Sequence, residues 1–515
     1  MSNTIPELRA LFRFLFVATV AYGGAMLWLS PHLPMGDLPQ VSGQIALLKD
    51  LINGSSPWHD MVRVNFFTPY LVPYFVGIVL AFFFSIVTAL KIELAIGYFL
   101  FVYACVRLRK VLGGDERLDW LFIPSYFGYA FKWGFVTFLV ATPLGVFLIL
   151  LAKIYADNPT LRNGIVLCLS GVFLFFAHGL VFIFAFFVGC SFLFSHFIKR
   201  GYPGRHWAAL SIPYFCLAFV FVLFIVVSKL TEQQYVSYGD VSSFSWSIYS
   251  TRPAQFVSYM LGSGIDIVFL PISFCLLTYP FLLGSRLKLE MNDRVLPFLM
   301  LLILWVTWPS RGMSLYFLCE RFSIFSLAFY AMIFSCNKEQ GQTQELPRAE
   351  NVRYVAATTL AVLSCWAFFA VQSVRLVRFA EESADFDRIA AAAEPKRLAL
   401  SLVFDPGSAA AYNRVAYKHF PAWYQAEKEG FLEPNFAGFL PQVVRYRREM
   451  FNEAPPADLV AETFRWKENN GDRYYYIFVR REGGLPPDVS ADAKCRIMKI
   501  AESGSWSLYR GCGDE

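Results

Sequence analysis

Apolar runs of about 18 to 20 residues recur through the first 375 positions of this 515-residue chain. A run of that length can cross the hydrocarbon core of a bilayer as one helix. Only 16% of the residues are charged and the mean hydropathy is +0.46, whereas a soluble globular chain has roughly 25% charged residues. The sequence therefore predicts an α-helical polytopic membrane protein. It excludes an ordinary cytosolic enzyme, a disordered chain and a nucleic-acid-binding domain.

The chain changes character near residue 376. Residues 380–515 contain 18 basic and 21 acidic residues, a net charge of −3, while the preceding part has a net charge of +9. So many charges are typical of a chain surrounded by water. We therefore expect a multi-spanning membrane domain at residues 1–375 and a soluble domain at residues 376–515.

Mixed helix and strand patterns predict that the soluble domain has a small α/β or α+β fold. The helical patterns cover residues 384–393 and 439–451, and the strand patterns cover residues 474–481, 495–501 and 504–510. Cys495 and Cys512 are the only cysteines of this domain. We expect them to form a disulfide if the domain faces an oxidising compartment, and two free thiols are the alternative.

Twelve apolar stretches, several of them short, are candidates for crossing the membrane. The loops between them divide into one set with 17 Lys and Arg residues and another with seven. The richer set is expected in the cytoplasm, and this requires that either residues 67–88 or residues 90–106 do not cross. Thr68, Pro69 and Pro73 suit a helix that lies at the interface, so residues 67–88 are the predicted juxtamembrane helix.

The remaining stretches predict about eleven transmembrane helices. An odd number of crossings places the N-terminus in the cytoplasm and the C-terminal domain on the opposite side. The predicted location is therefore the inner (plasma) membrane, with a periplasmic or extracellular domain at residues 376–515. The loop at residues 30–66 is expected on that outer side as well.

Asp37 is the strongest candidate for acid–base chemistry in the first outer loop. A carboxylate at the mouth of a membrane span is well placed to act as a general base on a hydroxyl. Gly36 lets the backbone approach a ligand closely, and Pro34 and Pro39 restrain the turn. The alternative is an ordinary solvated acid, and the same alternative applies to the neighbouring Asp60.

Four cationic side chains are predicted near the same face of the membrane. Arg311 and Arg321 follow an apolar stretch, and an Arg side chain can bind phosphate through two hydrogen bonds. Lys132 and His178 interrupt apolar segments, where an ionisable group is costly and therefore a candidate for function. The alternatives are interfacial anchoring or an ion pair for the arginines, and helix packing for the histidine.

Several motifs, spread over about 350 residues, resemble the GT-C class of multi-spanning glycosyltransferases. An acidic loop follows the first span, His178 lies at the outer end of a helix, and a soluble tail follows the last span. The motifs are Gly36-Asp37-Leu38-Pro39, TPYLVPY at 68–74, FKWGFVTFLVATPLGVFLILL at 131–151, FFAHGLVF at 175–182, and the Pro-x-Arg and Glu-Arg-Phe run at 309–322. The paired acid of the family is absent, since Leu38 follows Asp37.

The resemblance implies an enzyme that transfers a hexosyl or pentosyl group from a polyprenyl-phosphate donor to a hydroxyl of an envelope acceptor. Asp37 would be the general base, and Arg311 and Arg321 would bind the donor phosphate. Lys132 and His178 are further phosphate-binding candidates. His59 and Asp60 would position the acceptor, a glycan or a lipid, or share a divalent cation such as Mg²⁺ or Mn²⁺. Their spacing demands no metal, so no cofactor is certain.

Two other classes of protein remain as alternatives. A transporter or lipid flippase is expected to have ionisable residues at the bilayer midplane and internal repeats, and the sequence shows neither. A non-catalytic subunit of an envelope polysaccharide assembly system would have outer loops without a common pocket. The transferase hypothesis instead expects Asp37, His178, Arg311 and Arg321 to line one outward cavity.

Overall fold

A computed structural model gives the fold of this protein. It describes residues 4–200, 204–231, 244–246, 249–264, 266–287, 293–312, 315–335, 348–439, 441–450 and 453–513. These residues are mostly helical, with a small sheet region near the C-terminus. The prediction of a helical membrane protein with a small mixed domain at its end is confirmed at this level.

Seventeen α-helices are present in the described ranges. They are α1 Thr4–Ala25, α2 Leu38–Ile52, α3 Leu71–Ala81, α4 Ile86–Leu112, α5 Phe122–Ser125, α6 Tyr129–Trp133, α7 Val136–Asp157, α8 Leu161–Ala177, α9 Gly179–Arg200, α10 Gly204–Leu210, α11 Ile212–Thr231, α12 Arg252–Ser258, α13 Phe269–Leu282, α14 Leu296–Thr307, α15 Ser326–Met332, α16 Arg348–Ala391 and α17 Ala422–Lys428. Twelve short strands accompany them. They are β1 Val62–Val64, β2 Phe244–Ser245, β3 Arg286–Leu287, β4 Arg311–Gly312, β5 Leu315–Tyr316, β6 Phe334–Ser335, β7 Leu398–Val403, β8 Phe431–Glu433, β9 Val444–Tyr446, β10 Tyr476–Arg480, β11 Met498–Ser503 and β12 Trp506–Arg510.

Six helices of the described chain are long and apolar enough to cross a membrane, namely α1, α4, α7, α9, α11 and α16. Four apolar helices are shorter, namely α3, α8, α13 and α14. The count of about eleven crossings stays a prediction. Helix α3 has only 11 residues, or roughly 16 Å, against about 30 Å of hydrocarbon. Its length is compatible with the juxtamembrane position predicted for residues 67–88.

Two of the twelve apolar stretches, residues 119–131 and 320–336, are candidates for single spans but are broken in the structure. Residues 119–131 contain part of a 3₁₀ turn, then α5 and the start of α6, and residues 320–336 contain a 3₁₀ turn and α15, with residue 336 outside the described residues. Gly128 explains the first break, because a Cβ there would lie 2.5 Å from the Met260 carbonyl oxygen. Both stretches are buried within the protein. Irregular backbone is tolerated at membrane depth only in such surroundings.

The two ends of the helical part can be identified by their polar contacts. At one end, the carboxylate of Asp115 binds Arg117 and Ser285. At the other end, the backbone amide of Asp37 donates to the carbonyl of Trp133 (2.8 Å). Helix α7 begins three residues after Trp133 and runs for 22 residues, or about 33 Å, toward the first end. Asp37 therefore lies at the end of the bundle opposite to Asp115.

Helix α16 joins the membrane part to the C-terminal domain without interruption. It has 44 residues, so the predicted boundary at residue 375 falls inside a continuous helix. The domain contains a five-stranded mixed sheet in the order β11-β12-β10-β7-β8, in which β7 is parallel to both of its neighbours. Strands β10, β11 and β12 confirm the three strand predictions for the tail. A disulfide joins Cys495 and Cys512 across the last hairpin, with the two Cα atoms 5.5 Å apart.

The helix predicted at residues 439–451 is wrong. The chain there forms β9, which pairs antiparallel with β1 of the first outer loop, and residues 440 and 451 lie outside the described residues. The Gln44 side-chain oxygen accepts from the backbone amide of Val444 (3.2 Å), and the amide of Asn65 donates to the carbonyl of Val443 (2.6 Å). Pairing with a distant segment overrides the local helical pattern here.

Candidate active site

Asp37 lies where the loop that follows α1 enters α2. Its backbone amide binds Trp133, and the adjacent amide of Gly36 donates to the carbonyl of Lys132 (3.3 Å). The Asp37 carboxylate forms no capping hydrogen bond to α2, so its oxygens remain available to bind other groups. A Cβ on Gly36 would lie 3.0 Å from the carbonyl oxygen of Val415. The glycine thus permits the C-terminal domain to pack directly over the turn.

Two side chains of the C-terminal domain reach Asp37. The Nε2 atom of His419 lies 3.7 Å from the Asp37 carboxylate, and the Asp37 side chain is only 18% exposed. Burial raises the pKa of Asp37 to about 6, although the charges of Lys418 and Arg321 act to lower it. Burial also holds the pKa of His419 well below its ordinary value, so this imidazole is neutral. Asp37 is therefore a base with a pKa close to neutral pH, as general-base catalysis requires.

Arg321 is the cation of the membrane part that acts on Asp37. Its side chain is buried, and its Nη2 atom donates to the carbonyl of Tyr316 (2.8 Å). The guanidinium stacks on the ring of Phe135 (3.9 Å to the centroid). This stacking and the bond to Tyr316 hold the guanidinium in one place, from which its charge acts on Asp37 and on Tyr70.

His178 is brought into the same cluster through Tyr70. The two rings lie with centroids 4.9 Å apart, and the edge of Phe138 packs against the other side of His178. His178 is fully buried, and neither of its ring nitrogens has a hydrogen-bond partner among the described residues. His178 thus contacts Tyr70, a residue on which the charge of Arg321 acts.

The other two predicted phosphate ligands do not contact Asp37. Arg311 is exposed on β4 and stacks on Tyr316 (4.4 Å), so it lies one layer farther out than Arg321. Lys132 has its backbone beside Asp37, but its ammonium lies over Phe269 (5.4 Å). Of the predicted residues, only Arg321 is close enough for its charge to act on Asp37. His178 contacts Tyr70, Arg311 is exposed on β4, and the Lys132 ammonium points to Phe269.

His59 and Asp60 lie on an exposed turn before β1. Their side chains are 64% and 88% exposed, and His59 Nε2 is 3.3 Å from Asp60 Oδ2. The carbonyl of His59 accepts from Arg447 of the C-terminal domain (2.8 Å). The described part of the chain shows no contact between this pair and Asp37.

Among the described residues, one group of side chains is close enough together to hold a cation, but it lies far from Asp37. Asp157, His196 and Asp293 have ligand atoms within 4.8 Å of one another, at the end of α7 far from Asp37. The ammoniums of Lys153 (3.0 Å) and Lys199 (2.8 Å) already bind Asp293. Lysine thus supplies the positive charge that a metal would bring, and these residues fit an ion-pair network better than a metal site.

Sequence patterns missed much of what surrounds Asp37. Lys418 had no distinguishing feature, and His419 was notable only as one of several aromatic and polar residues of the tail. Tyr70 belongs to the TPYLVPY motif, where the following Leu71 starts a short helix. The only usable signal was the position of Tyr70 beside Pro69 in an outer segment.

The fold is similar to solved structures of two membrane glycosyltransferases. ArnT from Cupriavidus metallidurans, bound to undecaprenyl phosphate, is 9% identical with a TM-score of 0.55, over 97% of this chain and 98% of that chain. This likeness shows a shared fold, as the resemblance to the GT-C class predicted. The arabinofuranosyltransferase AftD from Mycobacteria is 12% identical with a TM-score of 0.50, over 98% of this chain and 40% of that chain. No protein-family model and no curated protein sequence matches this chain.

Proposed function

We propose that this protein is a glycosyltransferase that moves a sugar from a polyprenyl-phosphate donor to a hydroxyl of an envelope acceptor. The observation that carries this proposal is the poorly solvated carboxylate of Asp37, which lies between the charges of Arg321 and Lys418. The GT-C fold supports it, because ArnT with the same fold binds undecaprenyl phosphate. A buried base next to fixed cations suits the transfer of a sugar away from a phosphate.

Asp37 would accept the proton of the acceptor hydroxyl as the oxygen attacks the anomeric carbon of the sugar. The bond between that carbon and the phosphate oxygen breaks, and the phosphate leaves with the electron pair. Arg321 would stabilise the negative charge that grows on the departing oxygen. With a pKa of about 6, Asp37 is mostly deprotonated at pH 7 and still basic enough to take the proton.

The remaining predicted residues take supporting roles in this proposal. Arg311, exposed at the rim, would meet the donor phosphate before it reaches Arg321. His178 would act through Tyr70 as a positioning residue for the arginine. His59 and Asp60, on the turn that contacts the C-terminal domain, are proposed to position the acceptor. Lys132 points away from Asp37, so the departing phosphate is assigned to Arg321.

The proposed orientation rests on the distribution of Lys and Arg among the loops. Residues 1–375 would form the membrane domain with a cytoplasmic N-terminus, and residues 376–515 would form an extracytoplasmic domain. Asp37 would then lie at the outer face of the inner (plasma) membrane, where the phosphate of a carrier lipid resides. Lys153 and Lys199, at the far end of α7 and α9, would lie on the cytoplasmic side, as the positive-inside rule expects.

The decisive experiment replaces the proposed base with its uncharged isostere. Asp37→Asn is expected to lower transfer from a radiolabelled lipid-linked sugar by at least about 100-fold, because the amide cannot accept the proton. The matched control is Asp50→Asn, near the other end of the same helix α2, which should keep its activity. Both variants should unfold at the wild-type temperature. Turnover by Asp37→Asn within a few-fold of wild type would remove Asp37 from the mechanism.

A further inference from the structure

A cavity lies between α16 and residues 409–412 of the C-terminal domain. It has a volume of about 430 Å³ and is open to the outside. This volume lies within the range of about 300 to 1,000 Å³ that is typical of small-molecule sites. Its wall includes Val268, Val371, Val374, Arg375, Arg378 and Tyr412.

Arg375 occupies the centre of this cavity wall. Its side chain is only 12% exposed and its Nη1 atom binds the carboxylate of Asp266 (2.6 Å). The guanidinium lies between the rings of Phe269 and Tyr412, at 4.8 Å from each centroid. The cation is thus held rigidly while it faces the open space.

Two further cations flank Arg375. Arg378 lies one helical turn farther along α16 and is exposed at the mouth of the cavity. Lys132 is only 5% exposed and lines a smaller cavity that also has Arg375 in its wall. Asp266 is the only carboxylate that pairs with any of the three in the described part of the chain. Because a buried cation without a counter-ion is costly, this excess of positive charge favours an anion.

The rest of the cavity is apolar and continues onto the surface of the membrane part. Val268 and Val374 are 48% and 51% exposed, and the neighbouring Ile267 is 76% exposed. Helix α16 is one of the long apolar helices, and α13 starts at Phe269 beside the cavity. A cationic seat beside an apolar wall fits a molecule with an anionic head and a hydrocarbon chain.

We propose that Arg375, Arg378 and Lys132 form a second anion seat, which binds the phosphate of a membrane lipid whose hydrocarbon chain lies along α16. It differs from the site of the departing phosphate, because Lys132 and Arg375 both lie over the ring of Phe269, whereas Arg321 stacks on Phe135. Its use in catalysis rests on the proposed function. A transferase that has Arg321 for its donor phosphate would use this second seat for an acceptor that is itself a phosphorylated lipid.

Binding can be measured without any transfer reaction. The full-length protein in detergent would be titrated with phosphatidic acid, a lipid with one phosphate monoester, and with diacylglycerol of the same chains. Arg378→Gln and Lys132→Met are expected to lower the affinity for phosphatidic acid by at least ten-fold. Arg388→Gln, on the same helix but paired with Asp385 outside the cavity, should bind like wild type. Diacylglycerol should bind weakly to every variant.

Two further arms distinguish the sources of the phosphate and the two sites. Inorganic phosphate at the same concentration should not displace the lipid. Displacement would show that the site binds free anions and has no preference for a lipid. Arg321→Gln should keep its affinity for phosphatidic acid, and an equal loss would show a single shared seat. Wild-type affinity in both Arg378→Gln and Lys132→Met would overturn the proposal. If wild type binds the lipid as expected but transfers no sugar, the proposed function fails while the lipid site stands.

Discussion

The Asp37 carboxylate is buried, and burial disfavours its charged form. The pH dependence of transfer should show this effect. Burial raises the pKa from 3.8 to about 6, so the folded protein holds this proton more tightly than a free aspartate does. The basic form appears only as the pH rises through about 6. We expect kcat/KM to increase about ten-fold per pH unit below pH 6 and to level off above it. A rising limb centred near pH 4 would show that a solvated carboxylate is the base.

Lys418 gives a directional test of the same carboxylate. Its charge lowers the pKa of Asp37 and is the largest of the lowering influences. Lys418→Met should therefore raise that pKa and move the rising limb to higher pH. The rate should fall at pH 6 and stay nearer to the wild-type level at pH 8. The control is Lys499→Met on the exposed strand β11, which should leave the limb in place. If the rising limb of the pH profile does not move in Lys418→Met, then Lys418 does not influence the pKa of the catalytic base.

The last hairpin depends on the disulfide between Cys495 and Cys512. The two cysteines are 17 residues apart in sequence, and a bridge that closes a loop of this size contributes about 3 kcal/mol to stability. The double variant Cys495→Ala, Cys512→Ala should make the region from β11 to β12 more sensitive to proteolysis, and reductant should do the same to wild type. Cys216→Ala, an exposed cysteine of α11, serves as control. Equal protease resistance with and without reductant would contradict this expectation.

Strand β9 is an element whose partner decides its conformation. Residues 439–451 have the pattern of a helix, yet β9 completes a two-stranded ladder with β1. The backbone of Asn65 and the side chain of Gln44 bind the same segment. These contacts attach the C-terminal domain to the first outer loop, and that attachment holds Lys418 and His419 over Asp37.

The orientation of the whole molecule is the broadest prediction. Reporter fusions that are active only outside the cytoplasm should be active after residues 60 and 400 and inactive after residue 112. The physical reason is the excess of Lys and Arg in one set of loops, which stays in the cytoplasm. A fusion after residue 400 that reports the cytoplasm would reverse the side on which Asp37 lies. It would also remove the oxidising environment on which the disulfide depends.

Local properties of the sequence determined the class of protein and part of its final domain. Hydropathy is a property of each segment, so the apolar helices could be predicted without knowing their neighbours. The alternating patterns likewise predicted β10, β11 and β12, because a strand with one buried face shows its period in the sequence. Asp37 was recognisable as a candidate from Gly36 and the prolines around it.

Tertiary structure alone decided which charges meet. Lys418 and His419 reach Asp37 from about 380 positions away, and Arg321 from about 280 positions away. Gly128 and Gly134 flank the short helix α6, whose Trp133 carbonyl accepts from the Asp37 backbone amide while the Lys132 ammonium lies over Phe269. No local pattern encodes these distances, because they depend on how distant segments pack. The sequence could therefore identify the charged residues as candidates, but only packing decided which of them lie close to one another.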